Sequence, residues 1–187
     1  QLITLYGVSA ERVVIVQELE QHIERRHESK AGDVRRSLGI NADSRIALFA
    51  GELSHAAGAD ILVEALLYVC GKDPRASFVF AGDGPLRNEL EQRVAQGNAW
   101  QRCRFLGHVR HDYFEQLLEA ADFVVIPART WQDTGLAHMA IRAGKPVLTT
   151  KQAGITGIVH GENGLVTYDN PVSIIWGIQE LLNNPLQ

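Results

Sequence analysis

Short apolar runs rich in Val, Ile and Phe recur along the chain, separated by stretches with a helical period. That alternation limits the fold more than any other feature. The runs cover residues 13–16, 46–50, 78–81, 104–106, 123–126 and 147–149, each bounded by Gly, Pro or polar residues. None alternates cleanly between apolar and polar, so they read as strands buried on both faces. Between them, Ile61, Leu62, Ala65, Leu66 and Val69 form one apolar stripe, opened by Gly58 and closed near Gly71. Pro85 is expected as the first residue of the next helix, with Leu86, Leu90 and Val94 inward. Asp112 is expected to cap a third, whose inner face is Phe114, Leu117, Leu118 and Ala121. Residues 135–143 and 172–182 supply two more. Strand alternating with helix implies right-handed crossovers and an α/β, Rossmann-like, doubly wound parallel sheet with helices on both faces. Residues 1–30 read as a first strand and a polar connecting arm, and residues 31–187 as a single domain of that type.

The 187 residues are 45% hydrophobic and 21% charged, enough for one generous domain and unlike a disordered or coiled-coil chain. No apolar stretch approaches the ~20 residues that span a bilayer. The formal charge of -4 argues against a broad nucleic-acid-binding face. Cys70 and Cys103 lack metal-ligand spacing and fit a reducing compartment. The sole methionine is Met139, and there is no signal peptide, so the chain is expected to be a piece of something longer.

In a doubly wound sheet the ligand sits at the carboxyl ends of the strands, so the strand-to-helix loops hold the candidates. Residues 51–58 join two glycines, Gly51 and Gly58, to a helix start; they lack both a Walker lysine and a dinucleotide fingerprint. Gly82-Asp83-Gly84-Pro85 reads as a turn with Asp83 as N-cap, whose amides could also touch a ligand. His108 follows a short strand and is either a surface residue or a general base. Thr134, Gly135 and Leu136 would present amides to a phosphate at a helix start, unless Asp133 or Thr134 caps them. Arg129 or Lys145 could add positive charge there. No nucleophile elbow, Cys/His pair or metal cluster is present.

Several motifs follow one another in a recognisable order. They include Leu48-Phe49-Ala50-Gly51-Glu52-Leu53, Phe80-Ala81-Gly82-Asp83-Gly84-Pro85-Leu86, Phe105-Leu106-Gly107-His108-Val109 and Ala121-Asp122-Phe123-Val124-Val125-Ile126-Pro127. Ala143-Gly144-Lys145-Pro146-Val147 and Gly161-Glu162-Asn163-Gly164-Leu165-Val166 complete the series. Over nearly the whole chain this resembles the carboxy-terminal half of a GT-B glycosyltransferase of the retaining group 1, or family four, type. The resemblance implies a nucleotide-sugar donor as substrate, no metal or other cofactor, and an acceptor-binding amino-terminal half beyond this chain. It implies that Gly51, Gly82, Gly84, Gly107 and His108 line the donor site. It also implies that the amides of Thr134, Gly135 and Leu136 meet the diphosphate. No nucleic-acid partner and no transmembrane segment are implied; the location would be cytoplasmic, or peripheral to the inner face of a membrane.

The departures fall on the family's chemistry. Where the family carries a phosphate-binding arginine and lysine, this chain has Glu52 and Ala57, and where it carries two glutamates, Trp131 and Met139. A carboxylate in place of the arginine adds repulsion toward a diphosphate of about 1 kcal/mol in water at contact distance, and more in a cleft. Arg129, Lys145, His55 and His138 are candidate replacements. The alternative is a catalytically degenerate domain that acts as a binding or partner module.

Overall fold

The computed structural model describes residues 31–132, 135–184 and 186. Its elements run in the order α1 (Ala31–Ser37), β1 (Arg45–Ala50), α2 (Ala59–Cys70), β2 (Ala76–Ala81) and α3 (Arg87–Gln96). A single 3-10 turn (Trp100–Arg102) leads into β3 (Cys103–Gly107) and α4 (His111–Ala120). Then come β4 (Phe123–Ile126), α5 (Gly135–Arg142), β5 (Val147–Thr150), β6 (Gly164–Thr167) and α6 (Pro171–Asn183). The expected strand at residues 13–16 and the arm at 17–30 lie outside the described residues.

The six strands of the described residues pair in parallel, in the order β3-β2-β1-β4-β5-β6. Successive side chains of a strand point to opposite faces, which divides the core in two. Phe49, Phe78, Phe80, Phe123 and Leu148 face α2, α3 and α6. Ile46, Leu48, Val79, Val124 and Val147 face α1, α4 and α5. The expected doubly wound α/β fold is therefore present. The sequence reading missed β6 as a strand. It is a four-residue edge strand that pairs with β5 over Val147–Thr150, and between its opening Gly164 and closing Thr167 only Leu165 and Val166 form an apolar run.

Two expected caps are corrected. Pro85 lies in the turn ahead of α3, which begins at Arg87; Asp83 accepts from the Gly84 amide and pairs with Arg87 at 3.0 Å instead of capping the helix. Asp112 stands inside the first turn of α4, behind an extended Arg110 with which it forms an ion pair. In each case the carboxylate is held by neighbours other than the helix-start amides: Asp83 by the Gly84 amide and Arg87, Asp112 chiefly by Arg110. Gly58 and Gly71 do flank α2 as expected. Cys70 and Cys103 are free thiols.

At the amino end of the sheet, Asp122 accepts from Arg35, Arg45 and the Ile46 amide at 2.7 to 2.8 Å. Lys145 lies at this end too, donating to the carbonyls of Glu119 and Ala121. It is thus removed from the strand-to-helix loops where it was expected to supply charge.

Candidate functional site at the carboxyl ends of the strands

The strand order reverses between β1 and β4, so the loops that follow these two strands flank the crevice where open α/β sheets take ligands. Here they are fastened to each other. The Arg129 amide donates to the Ala56 carbonyl at 2.9 Å. The Arg129 guanidinium grips Asp60, in the first turn of α2, at 2.6 and 2.9 Å, and also donates to the His55 carbonyl. His55 Nδ1 stands 3.0 Å from the same carboxylate. Burial pushes the Asp60 carboxyl up, but the hydrogen bonds from Arg129 and His55 outweigh it and hold it below its ordinary range. Asp60 raises Arg129 in return, and the Asp169 charge adds to that.

On the β3 side of this junction a cleft of about 880 Å³ opens between the loops after β1, β2 and β3 and the first turn of α4. Gly51, Glu52, Gly82, Asp83, Gly84, His108, His111 and Phe114 are among its walls. Four of the expected ligand-lining residues, Gly51, Gly82, Gly84 and His108, are brought together there. The first three offer backbone surface, not free amides. Gly51 N–H donates to Ala81, Gly82 N–H to Gly107, and Gly84 N–H to the Asp83 carboxylate. Close stacking explains two of these glycines, since a Cβ on Gly82 would lie 1.9 Å from the Gly51 oxygen and one on Gly84 would lie 2.6 Å from Leu53 N. Gly107 sits at the end of β3 behind the cleft, where Arg87 fills the space beside it.

The charged groups of the cleft are mostly acidic. Glu52 is exposed with its side chain in the cleft. The Asp83 carboxyl is held low first by the Gly84 amide, then by Arg87, with the nearby His108 adding to it. His111 stands 3.4 Å from Glu115 and Phe114 adds an apolar wall, a pair that the sequence reading overlooked. Their position in the first turn after the third loop was the available signal. Asp60 was overlooked as well, because nothing in sequence ties it to Arg129, 69 positions away.

The remaining expected site residues lie elsewhere. Gly135 is the first residue of α5, and Leu136 and Met139 pack half-buried against the second core face. Ala57 packs against the first core face. Trp131 projects outward from the loop after β4, with 71% of its surface exposed. His138 is exposed on α5. Thr134 and Asp133 lie outside the described residues. Among the described residues, no group of His, Cys, Asp and Glu side chains could hold a metal ion, and no helix is long and apolar enough to cross a membrane.

The family model for glycosyl transferases group 1 matches residues 31–187. The chain belongs to this family. An uncharacterized glycosyltransferase of Methanocaldococcus jannaschii is 34% identical over 153 residues, a match covering 80% of this chain and 39% of that protein. The chain therefore spans about two fifths of the length of the curated relatives it matches. Among solved structures, Anabaena HepE in complex with UDP superposes with a TM-score of 0.73 at 26% identity, covering 84% of this chain and 44% of HepE. The carboxy-terminal domain of the group 1 protein LpcC from Francisella tularensis has a TM-score of 0.74 at 20% identity, and the match covers 86% of this chain and 84% of that domain. This second likeness bears on the fold alone.

Proposed function

We propose that this glycosyltransferase group 1 domain binds a nucleotide sugar at the carboxyl ends of its strands. It would be the donor half of a retaining, family-four type enzyme whose acceptor half lies beyond this chain. The base and ribose enter the cleft beside Gly107 and His108, and the diphosphate meets the amides of Thr134, Gly135 and Leu136, the last two of which open α5. No metal or other cofactor takes part, and the enzyme works in the cytoplasm or at the inner face of a membrane. The observation that carries this reading is the open cleft beside the switch point of the sheet, in a fold shared with HepE, which holds UDP.

A second reading, a domain that keeps the fold and has lost the chemistry, is favoured by one feature of the site. Arg129, a cation expected to replace the family's, is already neutralised by Asp60 and faces Asp169, while Glu52 adds a carboxylate to the cleft. A preorganised charge contact is commonly worth on the order of a hundredfold in rate, so its loss bears directly on turnover.

Calorimetric titration of the folded chain with UDP, GDP and ADP tests the donor binding on which the first reading depends. Saturable binding of one nucleotide between about 1 μM and 1 mM supports donor binding, and silence from all three overturns it. Glu52→Arg then tightens the bound nucleotide by about three- to tenfold, more at low salt. No change would remove the nucleotide from this cleft.

A further inference from the structure

The chain has two cysteines, remote from each other in sequence, and the fold brings them into contact. Cys70 closes α2 and Cys103 opens β3, so both lie at the amino end of the sheet, opposite the cleft. Cys103 is sealed in the first core face, and Cys70 packs against the same face half-buried. Both are free thiols, and the Cys103 S–H donates a hydrogen bond to the Cys70 sulfur.

Their surroundings make the two sulfurs unlike. The hydrogen bond from Cys103 pulls the Cys70 thiol below its ordinary range against the effect of burial, and the Arg102 charge adds to this. Arg102 is fixed near the end of α2 by its bond to the Asp73 carbonyl at 2.6 Å. Cys103 moves the other way, raised by its hydrogen bond to Cys70 and by burial. The thiolate, not the thiol, is the nucleophile. Cys70 therefore reacts first, being both the more ionised sulfur and the one with access to solvent. Cys103 is shielded from a dissolved oxidant yet touches the sulfur that meets it, which is the place of a resolving thiol.

We propose that Cys70 is an oxidation site for a hydroperoxide and that Cys103 resolves it into an intrachain disulfide. The Cys70 thiolate attacks one oxygen of hydrogen peroxide, the O–O bond breaks, and a sulfenic acid and hydroxide form. The Cys103 sulfur then attacks the Cys70 sulfur and the S–O bond breaks. The disulfide forms, and the Cys103 proton leaves with the hydroxyl as water. The two thiols supply the two electrons that reduce the peroxide. The new bond ties the edge strand β3 to α2 and closes a loop that carries β2, Gly82, Gly84 and α3, one wall of the cleft.

The test exposes the reduced, folded chain to hydrogen peroxide and reads its intact mass and a peptide map made without reductant. Wild type loses two hydrogens and yields a linked Cys70–Cys103 peptide, and dithiothreitol restores both thiols. The link forms about tenfold faster in the folded chain than in urea, because the fold holds the sulfurs together. Cys103→Ala leaves Cys70 as a sulfenic acid that dimedone captures, and Cys70→Ala leaves Cys103 unmodified; far-UV circular dichroism shows that each variant folds. The wild-type comparison in and out of urea decides the matter even where a variant does not fold. Thiols untouched by peroxide, oxygen added to wild-type Cys70 with no link, a link only between two chains, or a link no faster in the folded chain overturns the proposal.

Discussion

At Gly58 the backbone takes φ +72°, and a Cβ would lie 1.9 Å from the Pro127 carbonyl oxygen. Only glycine combines the left-handed conformation with that approach. It lets the loop after β1 lie directly on the loop after β4, which places Arg129 within reach of Asp60. Gly58→Ala should cost about 2–4 kcal/mol, strain and displaced backbone together, and lower the thermal midpoint markedly. A midpoint unchanged from wild type would mean that the two loops are not packed this closely. Sequence marked Gly58 as a helix opener, and rightly. It could not reveal the second demand on the same residue, because Pro127 is remote in the chain and meets Gly58 only once the sheet has formed.

Elements depend on their ends as much as on their apolar faces. Helix α6 starts at Pro171, with Asn170 extended ahead of it and its side-chain oxygen accepting from the Ser173 amide at 2.9 Å. The proline fixes the entry angle and Asn170 satisfies an amide that the helix itself cannot. Asn170→Ala should therefore cost about 1 kcal/mol, read as a shift in the urea midpoint with unchanged slope. Asn170→Asp should keep most of the stability. Ser, Asp and Asn at helix starts are easy to notice in sequence and hard to assign. Asp83 and Asp112 look like caps of the same kind as Asn170, yet each has an arginine beside it in the fold and is held by an ion pair. The strands were more legible. Four of the six described ones are runs largely buried on both faces, which leaves little else they can be; β3, expected to be buried too, is an edge strand only half-buried from Arg104 to Leu106, while β6 owes its pairing to β5 and not to its own four residues.

For the molecule as a whole, layers and topology follow from a pattern repeated along the chain, but the site follows from which side chains meet across the switch point. Asp60 and Arg129 form that meeting, and its pH dependence is a test of it. Asp60 is held below its ordinary value of 3.8 in the fold. Between the folded and unfolded values the unfolded chain binds more protons, so the pair stabilises fully above about pH 4 and loses its contribution as pH falls through the lower, folded value. Asp73, held down chiefly by Arg75, acts in the same direction. The thermal midpoint should thus stay level from pH 7 to about pH 5 and fall steeply below about pH 4. Asp60→Asn should cost about 1–3 kcal/mol at pH 7, because a charged hydrogen-bonded pair is replaced by a neutral contact and Arg129 loses its counter-charge. The variant and wild-type curves should converge only as pH falls through the lower, folded value of Asp60, where the wild-type carboxyl is protonated in both states. Curves that remain parallel across the acid range would mean that Asp60 titrates alike in both states and that the bond from Arg129 does not hold the two loops together.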